Sequence, residues 1–380
     1  ILSNALLVRF GLMSFSLYLW HQPLFAFAKI YFFEEPTKAL KVALILLTVL
    51  LSVLTFKFIE KPFRDKKLVS SKTMFSLYIL GTISLLFVGL LGNKYAAEFS
   101  SGRFHPHSSL RELNIGNYSY NNRYFQQQSW NLLRKRAGND SYGVDKNKFD
   151  EELWYDLNSS KSNILLVGNS HSKDLFNIFT QSVNVMSKFQ IARYGTQIKD
   201  LISEDLFWQS PNYQHSSKIV IVSKYTDLDL AHLPGIIKKV RADNKKIFIV
   251  KNIFEFPGPA SGFGPNLIDD VISKSSIGNV QYLSSEVNKE YYNYRQNDIE
   301  NRSYEINYQL EKLAEEESVT LLDRMDYICR NDMKICQAVQ KDLTKNFYDY
   351  GHHTLDGARF FANSNAFQKF LSPIISAAEL

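Results

Sequence analysis

Three apolar segments crowd into roughly the first 95 residues of this 380-residue chain, and they constrain the fold more than any other feature. They run from about Ala5 to Phe33, Ala39 to Ile59 and Thr73 to Leu91, and each supplies the ~20 residues that a bilayer crossing needs. Between Leu44 and Leu54 only Thr48 and Ser52 interrupt the apolar run, so a buried helix of a soluble protein is a poor alternative. Past about Gly92 the composition becomes that of an ordinary soluble domain. A chain of this length is expected to fold in more than one part. The chain opens at Ile1, inside an apolar stretch and without the charged start of a signal peptide, and reads as a piece of a longer protein.

Orientation follows from charge. The loop after the second segment holds Lys61, Arg64, Lys66, Lys67 and Lys72, whereas Glu34 and Glu35 sit against Lys38 and Lys41 in the opposite loop. The positive-inside rule places the Lys61–Lys72 loop in the cytoplasm and everything after Asn93 outside it. His21, beside Trp20 and Pro23, reads as an interfacial residue rather than an intramembrane site. The net charge of +6 is modest and its basic residues form no stripe, so no nucleic-acid partner is expected.

Residues 94–161, rich in Tyr, Asn, Ser and Gln and without a clear period, read as an extended extracytoplasmic linking region. From residue 162 to 380 apolar strands alternate with helical stretches. The strands are Asn163–Val167, Phe189–Arg193, Lys218–Val222, Lys246–Val250 and Val319–Leu322. The helices are Lys173–Ser187, Leu228–Ala242, one long helix from about Glu286 to Glu317, and Leu355–Phe370. This order predicts an α/β domain with a parallel sheet between helical layers, its site at the carboxyl ends of the strands. No internal repeat, P-loop or dinucleotide fingerprint is present.

The Gly168-Asn169-Ser170-His171-Ser172 turn follows the first of these strands, and Asp349 stands three residues before His352. A serine hydroxyl needs a base to become a nucleophile. Ser170 is the candidate nucleophile, His352 the base and Asp349 its orienting partner. The backbone N–H groups of Ser170 and Gly195 are candidate donors to an oxyanion. Blander readings stand beside these. Ser170 could be a helix cap, His353 the base, or Asp349, His352, His353 and Asp356 a metal-ligand set. Cys329 and Cys336 favour a disulfide in an oxidising compartment over two free thiols, and they lack the second pair that a zinc site needs.

The serine turn resembles the first block of the SGNH (GDSL-like) hydrolases, usually written Gly-Asp-Ser-His. The stretch from Asp349 through His352, His353, Thr354, Leu355, Asp356 and Gly357 to Ala358 resembles their last block. In the apolar part, Ser14 to Leu24, which contains Trp20-His21-Gln22-Pro23, and Phe58-Ile59-Glu60-Lys61-Pro62-Phe63-Arg64 resemble the end of the acyltransferase-3 family. The combination is similar to bacterial acyltransferase-3 proteins with a fused periplasmic SGNH domain, which O-acetylate cell-surface glycans such as lipopolysaccharide.

The resemblance implies a flavodoxin-like SGNH fold over residues 162–380 and the last three transmembrane helices over residues 1–93. It also implies a multi-pass protein of the bacterial inner membrane, whose residues after about Asn93 are periplasmic. Ser170, His352 and Asp349 would be the triad and Gly195 the second-block glycine, with no metal required. Acetyl-CoA would be the donor to the full-length membrane domain, whose N-terminal helices are missing here, and a surface glycan the acceptor. Two features depart from the pattern. Asn169 stands where Asp is usual, and no third-block Gly-x-Asn-Asp follows the third strand, where Ser223-Lys224-Tyr225-Thr226-Asp227 stands instead. Asn252 is a possible stand-in. A carbohydrate esterase with the same triad, and a silent glycan-binding domain, are the competing readings.

Overall fold

The computed structural model describes residues 11–31, 38–64, 70–94, 114–137, 148–258, 264–275, 279–298 and 301–376. The chain divides into two compact units, Ile1–Ser109 and Leu110–Leu380.

The first unit is helical. Helix α1 (Ser14–Tyr31) contains Pro23, and α2 (Lys38–Thr55) continues through a π turn at Phe56–Glu60 into Lys61–Arg64. Helix α3 spans Ser71–Lys94. Two stretches, Lys38–Phe63 and Lys72–Leu91, are long and apolar enough to cross a membrane, with mean hydropathies of 2.5 and 2.2. Two polar pairs join α1 to α2 and the π turn after it: Ser16 Oγ donates to Glu60 Oε2 and Trp20 Nε1 to Thr55 Oγ1, both at 2.8 Å. Thr48 and Ser52, the only polar breaks in the apolar run, turn back onto the carbonyls of Leu44 and Thr48. The ends of the expected first segment, the Glu34–Glu35 loop and residues 65–69 of the basic loop, Lys66 and Lys67 among them, lie outside the described residues.

The second unit is built on five parallel strands: β1 (Ser162–Gly168), β2 (Phe189–Gly195), β3 (Lys218–Val222), β4 (Lys246–Val250) and β5 (Thr320–Leu322). Their order is β2-β1-β3-β4-β5, the doubly wound flavodoxin-like arrangement. Ile164–Val167, Ile219–Val222 and Ile249–Val250 are all but inaccessible, as strands covered on both faces require. The strand expectations hold to within two residues at every end.

The helices are cut more finely than their periodicity suggests, and side-chain caps set several of the new starts. The first begins at Ser170, three residues early (α6, Ser170–Gln181), where the Asn169 side chain caps it, and breaks at Ser182 before a second short helix, Val183–Lys188. Helix α7 spans Asp227–Ala242. Helix α8 (Leu267–Lys274) was not anticipated and opens on an Asn266/Asp269 capping box. The long helix is two, α9 (Val280–Asn297) and α10 (Arg302–Glu316), since Asn301 caps the second through Ser303. The last is also two, α11 (Leu355–Ala362) and α12 (Asn365–Ser376). Cys329 and Cys336 face each other across a two-stranded hairpin and are joined by a disulfide.

The linking region departs most from expectation. Within it, residues 122–129 and 131–137 form helices α4 (Asn122–Ser129) and α5 (Asn131–Ala137), with Tyr118, Trp130 and Leu133 buried. Tyr118 Oη and Asn122 Nδ2 donate to the Asp269 carboxylate at 2.6 and 2.8 Å, and Lys345 Nζ reaches the same group at 2.5 Å. Asn177 Nδ2 donates to the Ser129 carbonyl at 2.6 Å. These short polar helices have little helical propensity of their own and are held by buried tertiary bonds. The described part of the segment therefore belongs to the folded α/β unit.

Candidate active site

Gly168 ends β1 with φ +145°, and a Cβ there would lie 1.9 Å from the Val222 carbonyl oxygen of β3. Only glycine permits this approach. Asn169 follows; its Oδ1 accepts from His171 N at 3.3 Å and from Lys224 N at 3.2 Å, tying the turn to the segment after β3. A capping and bridging side chain thus occupies the place where the family writes Asp. Ser170 is the first residue of α6, at the carboxyl end of the sheet.

The far end of the chain meets it there. Ser170 Oγ lies 2.8 Å from His352 Nε2, and His352 Nδ1 lies 2.9 and 3.1 Å from the two oxygens of Asp349. Asp349 Oδ1 also accepts the backbone N–H groups of Gly351, at 3.0 Å, and His352, at 2.8 Å. Asp349 and His352 are buried while Ser170 keeps partial exposure. With Nδ1 on a carboxylate, His352 carries its proton there and turns a lone pair toward the serine hydroxyl, the arrangement a general base needs.

The alternative base does not reach the serine. His353 is fully buried among Tyr327, Phe347 and Phe361, its Nε2 3.3 Å from Tyr327 Oη, and burial lowers its pKa to about 3. Asp356 pairs with Arg359 on the exposed face of α11. The four-residue metal set is therefore not assembled. A different trio, His171, Asp174 and His352, brings ligand-type atoms within 4.8 Å of one another. Two cations crowd that trio: Lys173 Nζ is 2.6 Å from Asp174, and Arg324 faces His171 Nδ1. The His352 nitrogens are already engaged by Ser170 and Asp349. Burial works against charge on Asp174, but the Lys173 ammonium 2.6 Å away holds its carboxyl well below the usual range.

The oxyanion expectation needs correction. Gly195 N–H donates to Asp150 Oδ2 at 2.6 Å, so it is not turned toward the serine. Asn252 does not take over, because its side chain is spent on both backbone groups of Tyr225. Ser170 N–H, at the open N-terminus of α6, keeps its place as a candidate donor.

Around the base stand residues that the sequence reading passed over. His171 stacks on His352 with centroids 4.3 Å apart and planes 11° apart, Tyr348 lies parallel at 5.6 Å, and Tyr350 approaches edge-on at 5.2 Å. All three flank recognised residues in the chain, which is the one signal that marks them. Arg324 and Asp150 carry no such signal. A separate cavity of about 310 Å³ opens past the ends of β4 and β5, where Phe254, Tyr304, Tyr308 and Asn307 meet Lys251 and Asp323.

Residues 140–364 match the family described as the SGNH domain fused to AT3 domains, and the chain belongs to that family. Among solved structures, it is similar to the periplasmic domain of a lipopolysaccharide acetyltransferase from Salmonella ser. Paratyphi A. That match has 14% identity and a TM-score of 0.40, over 65% of this chain and 97% of the other. It is also similar to a putative acylhydrolase from Bacteroides fragilis, at 13% identity and a TM-score of 0.33, over 64% and 97% of the two chains. No curated protein matches the chain.

Proposed function

We propose that the chain is the C-terminal part of a membrane O-acyltransferase whose extracytoplasmic SGNH domain passes an acyl group, acetyl in the first instance, to a hydroxyl of a cell-surface glycan. The observation that carries this reading is the unbroken line from Asp349 through His352 to Ser170, with contacts of 2.9 and 2.8 Å. Ser170 Oγ attacks the acyl carbonyl carbon as His352 Nε2 takes its proton. The tetrahedral oxyanion rests on the Ser170 N–H, and the leaving group departs with the proton from His352. The acceptor hydroxyl then gives its proton to His352, attacks the acyl-serine, and leaves as the ester while Ser170 recovers its proton. His352 is cationic in each transition state, and Asp349 stabilises that charge.

Several observations support the rest of the reading. The membrane-length helices precede the domain, and the basic loop between them favours a cytoplasmic side opposite to the domain. The Cys329–Cys336 disulfide suits an oxidising compartment such as the periplasm. Acetyl-CoA, used on the cytoplasmic face by the full-length membrane part, is the proposed source of the acyl group.

The test is acetyl transfer to a purified surface glycan by the full-length protein, wild type beside Ser170→Ala. Serine-dependent acetylation of the glycan is the expected result. Acetate release with water as the only acceptor would make the domain an esterase. The commitment of Gly195 N–H to Asp150 favours a third outcome, a silent glycan-binding domain, which bound glycan without turnover in either protein would establish.

A further inference from the structure

The hydrogen bonds at the two nitrogens of His352 fix the line from Asp349 to Ser170, but they leave the ring free to tilt about that line. Something must hold its faces. The ring that does so most closely is His171, 4.3 Å away and 11° from parallel. It comes from the residue next to the nucleophile, so the serine and the support of its base are set by one turn of chain.

His171 is itself fixed at both nitrogens. Its Nε2 lies 2.9 Å from Tyr350 Oη, and its Nδ1 faces Arg324 Nη1 and Nη2 at 3.3 and 3.4 Å. Asp174 Oδ2 stands 3.6 Å from the same Nδ1, beyond hydrogen-bond reach. A guanidinium has donors only. Nδ1 must therefore accept, and Nε2 carries the proton and donates to the tyrosine oxygen. His171 is neutral in this tautomer, and burial and the His352 charge both oppose its protonation. Neutrality matters because His352 becomes a cation during the reaction, and a second imidazolium stacked on it would oppose that step. Arg324 is itself buried, and its Nε has no partner among the described residues. A buried guanidinium without its full set of acceptors is costly, and its two terminal nitrogens are turned to His171.

We propose that His171 is a positioning residue of the acyl-transfer reaction: held by Arg324 and Tyr350, its uncharged ring keeps the His352 imidazole in the plane that joins Asp349 to Ser170. The proposal rests on the reading of Ser170 and His352 as nucleophile and base. The groups facing His352 are Ser170, Asp349, Tyr348, Tyr350 and His171. Those facing His171 are Tyr350, Arg324, Asp174 and His352.

The experiment compares the full chain with its His171→Ala, His171→Phe and Ser170→Ala variants, reading kcat and KM for p-nitrophenyl acetate. Removing the ring is expected to lower kcat about 100-fold, the scale of a misplaced catalytic group, with KM nearly unchanged. Phenylalanine keeps a flat face without ring nitrogens and is expected to restore kcat to within about fivefold of wild type, since stacking carries most of the effect. Circular dichroism confirms that each variant is folded, and the Phe variant, close to the native shape, serves if the Ala variant is not. An unchanged kcat in His171→Ala, or a Phe variant as slow as the Ala variant, overturns the proposal. Full activity in Ser170→Ala overturns the catalytic reading beneath it, which is a separate result.

Discussion

Asp150 accepts the Gly195 N–H at 2.6 Å, and the same Oδ2 lies 3.4 Å from Arg193 Nη1. Both side chains are fully buried, and the Arg193 guanidinium also donates from Nε to Ser172 Oγ at 2.9 Å. A carboxylate from the stretch before the sheet thus occupies the turn after β2. Asp150→Ala leaves a buried cation without its carboxylate, which costs about 3–5 kcal/mol in comparable pairs. Chemical denaturation should show a loss of that order. A loss below about 1 kcal/mol would mean that Arg193 does not need the charge of Asp150.

Ser170→Ala and Asp349→Asn should separate chemistry from folding. Asn at 349 keeps an oxygen for the Gly351 and His352 N–H groups, so the loop should stay formed. Its amide cannot accept the His352 Nδ1 proton in the same way, and kcat should fall about 10⁴-fold with KM near wild type. Activity of Asp349→Asn within tenfold of wild type would remove Asp349 from the reaction.

Acid should destabilise the α/β unit early. His353 has its pKa lowered to about 3 by burial, and His171 lies well below its ordinary value for the same reason. An unfolded chain takes up protons on both near pH 6.5 while the native state does not. The stability they contribute is complete above about 6.5 and is lost as pH falls from there toward 3. Urea midpoints between pH 7 and pH 5 should therefore decline. His353→Phe, in a pocket already lined by Tyr327, Phe347 and Phe361, should make the decline shallower. An equally steep decline in that variant would show that His353 contributes nothing to it.

Lys345→Met tests the hub that ties the Tyr118–Asn122 segment to α8. Lys345 and Asp269 are both fully buried, and burial lowers the pKa of the lysine while Asp269 opposes the shift. Removing the cation leaves the Asp269 carboxylate with neutral donors, Tyr118 Oη, Asn122 Nδ2 and the Asn266 N–H. A cost of about 3–5 kcal/mol follows from stranding a buried charge. The Tm of the variant checks it.

What the sequence disclosed follows physical lines. The strands were legible because Ile164–Val167, Ile219–Val222 and Ile247–Val250 are covered on both faces and so are apolar throughout. Ser170, Asp349 and His352 were legible because turn chemistry and a short Asp-x-x-His spacing are local. The contacts that escaped are those between residues distant in the chain. Nothing near Gly195 reveals that Asp150 will take its N–H, and nothing near His171 reveals Arg324. Asn122–Ala137 escaped because its helices are polar and draw their stability from Asp269, Lys345 and Asn177. The break between α9 and α10 escaped because apolar periodicity does not register an Asn301 cap.

The hub at Asp269 also decides where the gene can be cut. A truncation starting at residue 162, where the alternation of strands and helices begins, would discard Tyr118, Asn122, Ser129 and Trp130. It would open Asp269, Lys345 and Lys173 to solvent, and Lys173 donates to Ser129 Oγ on one side and to Tyr348, the ring parallel to His352, on the other. A soluble fragment that starts ahead of Asn114 keeps these groups covered. One that starts at the first strand would carry the whole triad and lose what backs it.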